Sequence, residues 1–175
     1  MSELIDLGDV DAFTTGTQGR PGQRTFFLQA RVDGRVISIK LEKQQTEALG
    51  VYLRRALVDL PSPSERPLSS AMELREPVEA LFVLGAIGVA YEADRDRFVL
   101  QFDELVAGDD DGDDDDDGDD LTEEVEGRRV RLRVTRGQVA AFCDHAAEVV
   151  ASGRPPCRFC GRPMDPDGHP CPRMN

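Results

Sequence analysis

Twice along this chain the spacing of apolar residues switches from every second residue to helical, and that switch constrains the fold more than any other feature. In Arg35 to Leu41, Ile37, Ile39 and Leu41 alternate with Val36, Ser38 and Lys40; from about Lys43 to Asp59 and just beyond, Ala48, Leu49, Tyr52, Leu53, Ala56, Leu57 and Leu60 recur at helical spacing. Later, Val130, Leu132 and Val134 alternate with Arg129, Arg131 and Arg133, and Val139, Phe142, Cys143, Ala146, Val149 and Val150 form a second helical stripe. A strand with one apolar face that feeds a helix with one apolar stripe must bury both in a shared core. Two such units predict an α+β domain.

The two switches also share an order of residue types. Ser38 to Gln45 and Arg131 to Gln138 both read apolar, basic, apolar, cap, basic, any, Gln from their second position. This fits a duplicated unit, and it fits equally any amphipathic strand feeding an amphipathic helix. The second unit has a capping-box signature, Thr135 with Gln138 three residues on, and Gly153 marks its end.

The other segments fill in three strands before each helix. Leu4 to Val10 reads as a short strand. Thr15 to Gly22, with Gly16, Gly19 and Gly22, reads as a polar hairpin connection; it lacks the G-x-x-x-x-G-K-[ST] order of a phosphate loop. Arg24 to Val32 and Arg35 to Leu41 flank an Asp33-Gly34 turn, a strong hairpin signal. Pro61-Ser62-Pro63 stops the first helix and opens a linker to about Pro67. Val78 to Tyr91 reads as a long central strand whose Gly85 and Gly88 predict a bulge or a close backbone approach, and Asp94 to Asp96 turns it into Arg97 to Leu105. The predicted architecture is two βββα halves forming an antiparallel sheet packed by two helices. It occupies residues 1–153, with halves of about 1–60 and 76–153 and a disordered acidic loop at 107–122. Residues 154–175 form a tail.

That tail carries the clearest chemistry. Cys157-Arg158-Phe159-Cys160-Gly161 places two thiols at C-x-x-C spacing, and Asp167-Gly168 turns the chain so that His169 and Cys171 return to them. A Cys3His set is what a structural zinc takes, and it leaves no open position for water or substrate. Prolines at 155, 156, 163 and 166 speak against a thioredoxin-like redox motif, which opens a helix. The expected ligands are Cys157, Cys160, His169 and Cys171.

Charge is informative only after one correction. The net charge is −13, but ten aspartates crowd into 109–120, and without them the balance is −3. That run matches a calcium-loop pattern at Asp113, Asp115, Asp117, Gly118 and Glu124. A low-complexity tract produces such matches by chance, and the flanks read as strands where an EF-hand needs helices. There is no apolar run of membrane-span length and no basic-apolar leader in Met1 to Asp6, so a cytoplasmic protein with no membrane contact is expected. Four cysteines, three of them in the tail, suit a reducing compartment.

No catalytic residue stands out. The histidines are His145 and His169, and Cys143 and His145, two apart on a helix, do not face one another. Lys40, Lys43, Arg129, Arg131, Arg133 and Arg136 would form a basic patch if the halves are related by symmetry. They could bind nucleic acid or a phosphorylated ligand, or simply keep exposed strands soluble. The latter is preferred, since the chain has no basic excess. The leading functional expectation is a non-catalytic, zinc-stabilised binding or adaptor protein with a protein partner. The alternatives are that anion or nucleic-acid binder and an enzyme with a pocket near Gly85 and Gly88.

Asp6-Leu7-Gly8, Gln44-Gln45 and the stretch from Cys157 to Pro172 carry a resemblance that spans most of the chain. The chain resembles an actinobacterial family of unknown function whose members end in Cys-x-x-Cys-Gly...Gly-His-x-Cys-Pro. The resemblance implies no active site, and the Asp run looks like an insertion relative to it.

Overall fold

A computed structural model describes residues 3–106, 127–165 and 167–173. The Asp run, its calcium-loop pattern and the loop expected at 107–122 lie outside the described residues. The elements in chain order are β1 (Leu4–Asp9), β2 (Ala12–Gln18), β3 (Thr25–Val32), β4 (Arg35–Leu41), α1 (Lys43–Val58), a 3-10 turn (Ser69–Met72), β5 (Ala80–Glu92), β6 (Arg97–Glu104), β7 (Arg129–Val134) and α2 (Arg136–Ala151).

The sheet is mixed and has seven strands in the order β1-β7-β6-β5-β4-β3-β2. β2-β3-β4 and β5-β6-β7 are antiparallel meanders, and each ends in a helix as predicted. The sheet is not antiparallel throughout, however, and the first meander opens with β2, the strand expected at Leu4 to Val10 pairing instead with β7. The joins between them are parallel, β4 with β5 and β7 with β1. A helical crossover such as α1 leads naturally to a parallel neighbour.

The two edges of this sheet are consecutive in the chain, so the sheet closes. Only Val10 and Asp11 separate β1 from β2. The Val10 N–H donates to Arg133 O of β7 at 3.1 Å, and the Asp11 N–H donates to Arg31 O of β3 at 2.8 Å. β1 and β2 therefore act as one bent strand that completes a barrel. The stacking of Phe13 from β2 on Phe142 of α2, with ring centroids 4.6 Å apart, packs the second helix against that strand.

This closure makes the two halves equivalent in detail. β1 runs beside β7 with Asp6 opposite Arg131 and Asp9 opposite Arg133; β5 runs beside β4 with Ala80 opposite Ser38 and Val83 opposite Lys40. Both pairings skip a residue at the same place, and both long strands then turn to pair antiparallel with the next strand. At the bend, Gln138 Nε2 donates to Val10 O at 2.9 Å and Gln45 Nε2 donates to Leu84 O at 3.2 Å. Each glutamine also accepts from the backbone N–H of its own helix cap, Thr135 or Glu42, at 2.8 Å. The short sequence match thus marks the same strand-to-helix corner in two βββα units.

Alternation puts one face of each strand inside. Phe98, Leu100, Phe102, Val130, Leu132 and Val134 are at most 1% exposed, and burying a side chain of this size contributes about 1.5–3 kcal/mol. The helices close over the core and on each other: a Cβ on Gly50 of α1 would meet Ala146 Cβ of α2 at 3.6 Å.

Two local expectations are corrected. Thr15 to Gln18 belong to β2 and not to a loop. Thr14 Oγ1 donates to Met72 O at 2.6 Å, Thr15 Oγ1 donates to Phe27 O at 2.9 Å, and Gly16 lies under Leu74, whose side chain leaves no room for a Cβ. The glycine serves close packing there, not turning. The linker after Pro61 is likewise fixed to the domain. Arg66 pairs with Asp144 at 2.8 Å, and Gln29 holds Arg75 by accepting from its N–H at 2.7 Å and donating to its carbonyl at 3.1 Å.

Candidate metal centre

The tail is shaped by its own backbone before any side chain is considered. Pro156 bridges to Pro163, the Cys157 N–H donates to Arg162 O at 2.8 Å, and the Met164 N–H donates to Pro155 O at 2.9 Å. Inside this small loop the Gly161 N–H donates to Cys157 O at 2.8 Å, and the Phe159 N–H points at Cys157 Sγ at 3.5 Å. Gly161, at φ 72°, makes the left-handed turn that ends the C-x-x-C segment. Gly168, at φ 91°, makes the second, its N–H donating to Asp165 O at 2.9 Å. Arg173 Nη1 donates to Phe159 O at 3.2 Å and ties the end of the tail to its start.

The result is that Cys157, Cys160, His169 and Cys171 converge, with all four donor atoms within 4.8 Å of one another. Cys157 Sγ is 4.0 Å from Cys171 Sγ, and Cys160 Sγ is 3.2 Å from His169 Nε2. A tetrahedron of ligands about 2.0–2.3 Å from one ion has edges of about 3.5–3.8 Å. A disulfide would need sulfurs about 2 Å apart, and all four cysteines are free. The donor set therefore fits a metal ion. Among its four members Cys157 is buried. The N–H of Phe159, with that of Cys160, holds the Cys157 thiol below its ordinary range, which favours the thiolate a metal requires. His169 Nδ1 is buried with no hydrogen-bond partner among the described residues. None of the described residues supplies the outer acceptor that usually steadies a metal-bound ring.

The predicted basic patch does not assemble. The symmetry does relate Lys40 and Lys43 to Arg133 and Arg136, but β5 and β6 stand between the two strands. The arginines are also engaged by carboxylates: Arg129 by Asp103, Arg131 by Asp6 at 4.0 Å, and Arg133 by Asp6 at 3.9 Å and Glu92 at 3.4 Å. Arg136 is held by Asp96 at 2.7 and 2.9 Å and also donates to Pro61 O. Lys40 is exposed on β4, and Lys43 is exposed at the first turn of α1. Arg24 and Arg154, which no spacing argument singled out, are the cations that line one pocket with Lys43.

Near Gly85 and Gly88 the surface holds two open grooves, one of about 400 Å³ that Gly88 lines with Glu92, Gln101, Arg131 and Arg133, and one of about 330 Å³ between α1 and β5, lined by Ala48, Leu49, Tyr52, Ile87 and Val89. The lining of the second is apolar apart from Tyr52, and in the first Glu92 is paired with Arg133 at 3.4 Å. Gly85 has the close backbone approach expected of it, with Leu105 Cα 3.0 Å from where a Cβ would sit. His145 Nε2 lies 2.9 Å from Thr15 O and does not meet Cys143; burial pushes the Cys143 thiol up to about 11. Among the described residues no helix is long and apolar enough to cross a membrane.

A protein-family profile described as "Protein of unknown function (DUF3090)" matches residues 6–171, which takes in both the barrel and the metal centre. No curated protein and no solved structure gave a match.

Proposed function

The chain belongs to the DUF3090 family, and from that footing we propose that it is a non-catalytic binding or adaptor protein whose tail is held by a structural zinc ion. The observation that carries the metal reading is the convergence of three thiols and one imidazole inside 4.8 Å. Zinc is the preferred ion because it takes mixed sulfur and nitrogen donors in a tetrahedron, and three thiolates with one histidine close its coordination sphere. An ion with no open position holds structure. Thiolate ligands need a reducing compartment, which favours the cytoplasm. A binding role is supported by what the clip presents: Phe159 is 45% exposed, with the Arg158 guanidinium 5.0 Å over its ring.

Elemental analysis of protein purified without chelator tests the metal directly. About one zinc per chain is expected, lost in Cys157→Ser and in His169→Ala. Metal-free wild type, or variants that keep full zinc, would sink the reading.

A further inference from the structure

The pseudo-symmetry of the barrel exposes one place where the halves differ in charge. In the second half, Asp96 stands just before β6 and Arg136 opens α2; Arg136 Nε and Nη2 donate to the Asp96 carboxylate at 2.7 and 2.9 Å. The equivalent positions in the first half are Arg24, just before β3, and Lys43, which opens α1. The acid of the ion pair is thus replaced by a second cation. Among the described residues no carboxylate pairs with Arg24 or Lys43.

These two cations line a pocket of about 220 Å³ with Gly22, Phe26, Gly153 and Arg154. Arg24 Nη2 and Lys43 Nζ lie 3.3 and 3.6 Å from where a Cβ on Gly153 would sit, and Arg154 Nε lies 3.2 Å from the corresponding point on Gly22. The two glycines therefore leave open the space the cations share. Arg24 is fixed in place: Nη1 donates to Ser152 Oγ at 2.9 Å and Val149 O at 3.4 Å, and its guanidinium lies 5.3 Å over the Phe26 ring. Arg154 is fixed from the other side by Asp165 of the clip at 2.9 Å. Three cations line the pocket against one paired carboxylate, Asp165, while the Glu42 side chain is committed to capping the first turn of α1.

We infer that the pocket formed by Arg24, Lys43 and Arg154 binds the phosphoryl group of a small phosphorylated molecule or free phosphate, the anion standing where the Asp96 carboxylate stands in the other half. Two arginines offer forked donors that suit a tetrahedral dianion, and Lys43 adds a point charge. The volume admits a phosphoryl group with a few further atoms. This inference names a ligand class for the binding role proposed above and does not depend on which metal holds the clip.

The test is calorimetric titration of the full chain with inorganic phosphate, glycerol 3-phosphate and acetate at low salt, with zinc measured on the same samples. Phosphate binding that weakens about tenfold in Lys43→Ala and again in Arg154→Ala, and is unchanged in Arg131→Ala, is the expected result. Binding of glycerol 3-phosphate as well identifies a monoester pocket; binding of phosphate alone identifies a free-phosphate pocket. Zinc-free protein that still binds phosphate upholds the pocket and removes the zinc clip. Zinc-loaded protein that binds no phosphate, binds acetate as tightly, or binds equally well in the Lys43 and Arg154 variants overturns the pocket and leaves the clip standing.

Discussion

Two buried glycines, one in each helix, should respond to the same substitution with opposite signs. Helix propensity alone favours alanine at both Gly50 and Gly137, by up to about 1 kcal/mol each. At Gly50 the structure agrees: the new methyl would meet Ala146 Cβ at 3.6 Å, an ordinary contact. At Gly137 it does not. A Cβ there would lie 2.0 Å from Glu65 O and 3.0 Å from Glu65 C, so the linker backbone would have to retreat by about 1.3 Å or more to reach normal carbon-oxygen separation. The linker resists, because Arg66 is paired with Asp144 at 2.8 Å and Pro61 O accepts from Arg136. Overpacking of this kind costs about 1–3 kcal/mol. Set against the propensity gain, Gly137→Ala should lose about 1–2 kcal/mol and Gly50→Ala should gain up to about 1 kcal/mol. In a domain of this size that lowers Tm by about 2–8 °C in the first and raises it by up to about 4 °C in the second. Thermal unfolding followed by circular dichroism, with urea titration to check that the m-value is unchanged, reads both. A Gly137→Ala protein as stable as wild type, or a shift of the same sign in both, would refute the claim that the linker is docked on α2.

Two further outcomes follow from the ionisable groups. The Arg128 side chain, and after it the Arg128 backbone N–H, hold the Glu104 carboxyl at about 2, below its ordinary 4.5. Its stabilising contribution is therefore complete above about pH 4.5. It disappears as the pH falls toward about 2. Glu104→Gln should flatten the acid limb of stability over that window, and an unchanged acid profile would show that the pair contributes nothing. Cys143, with its thiol raised to about 11 by burial, should resist a thiol reagent at pH 8 in native protein. Mass spectrometry should find three labels after chelation and a fourth only after denaturation, whereas prompt labelling of Cys143 would mean that the interface between the helices opens.

The strand-to-helix corners were legible in the sequence because period alone decides them. Ile37, Ile39 and Leu41, like Val130, Leu132 and Val134, could lie only on one face of a strand. The tail was legible because few residue types hold a metal. Gly16 misled, since a glycine under Leu74 and a glycine in a turn look alike until the covering side chain is known. The parallel joins and the barrel closure were not legible either. The closure depends on a two-residue bend at Val10 and Asp11, and nothing in those residues announces that one strand will pair first with β7 and then with β3. The basic pocket was hidden for a related reason: Arg24, Lys43 and Arg154 come from three separated segments. Their meaning appears only when the second half supplies Asp96 and Arg136 for comparison.

That comparison also bears on what the metal holds together. The barrel has a core of its own, with both helices docked on it, and none of its buried side chains comes from the tail. The tail has no comparable core, since Cys157 is its one buried side chain among the described residues. About fifteen residues of such composition do not stay folded without a cross-link or an ion. Chelation should therefore leave the main unfolding transition near its original temperature while loosening residues beyond Gly153. Arg154 would be the first to feel it, because its partner Asp165 sits within the clip. Amide exchange read before and after chelation separates the cases: faster exchange confined to 154–173 fits a tail-specific ion, and faster exchange throughout β3 and α1 would mean that the barrel itself leans on the metal.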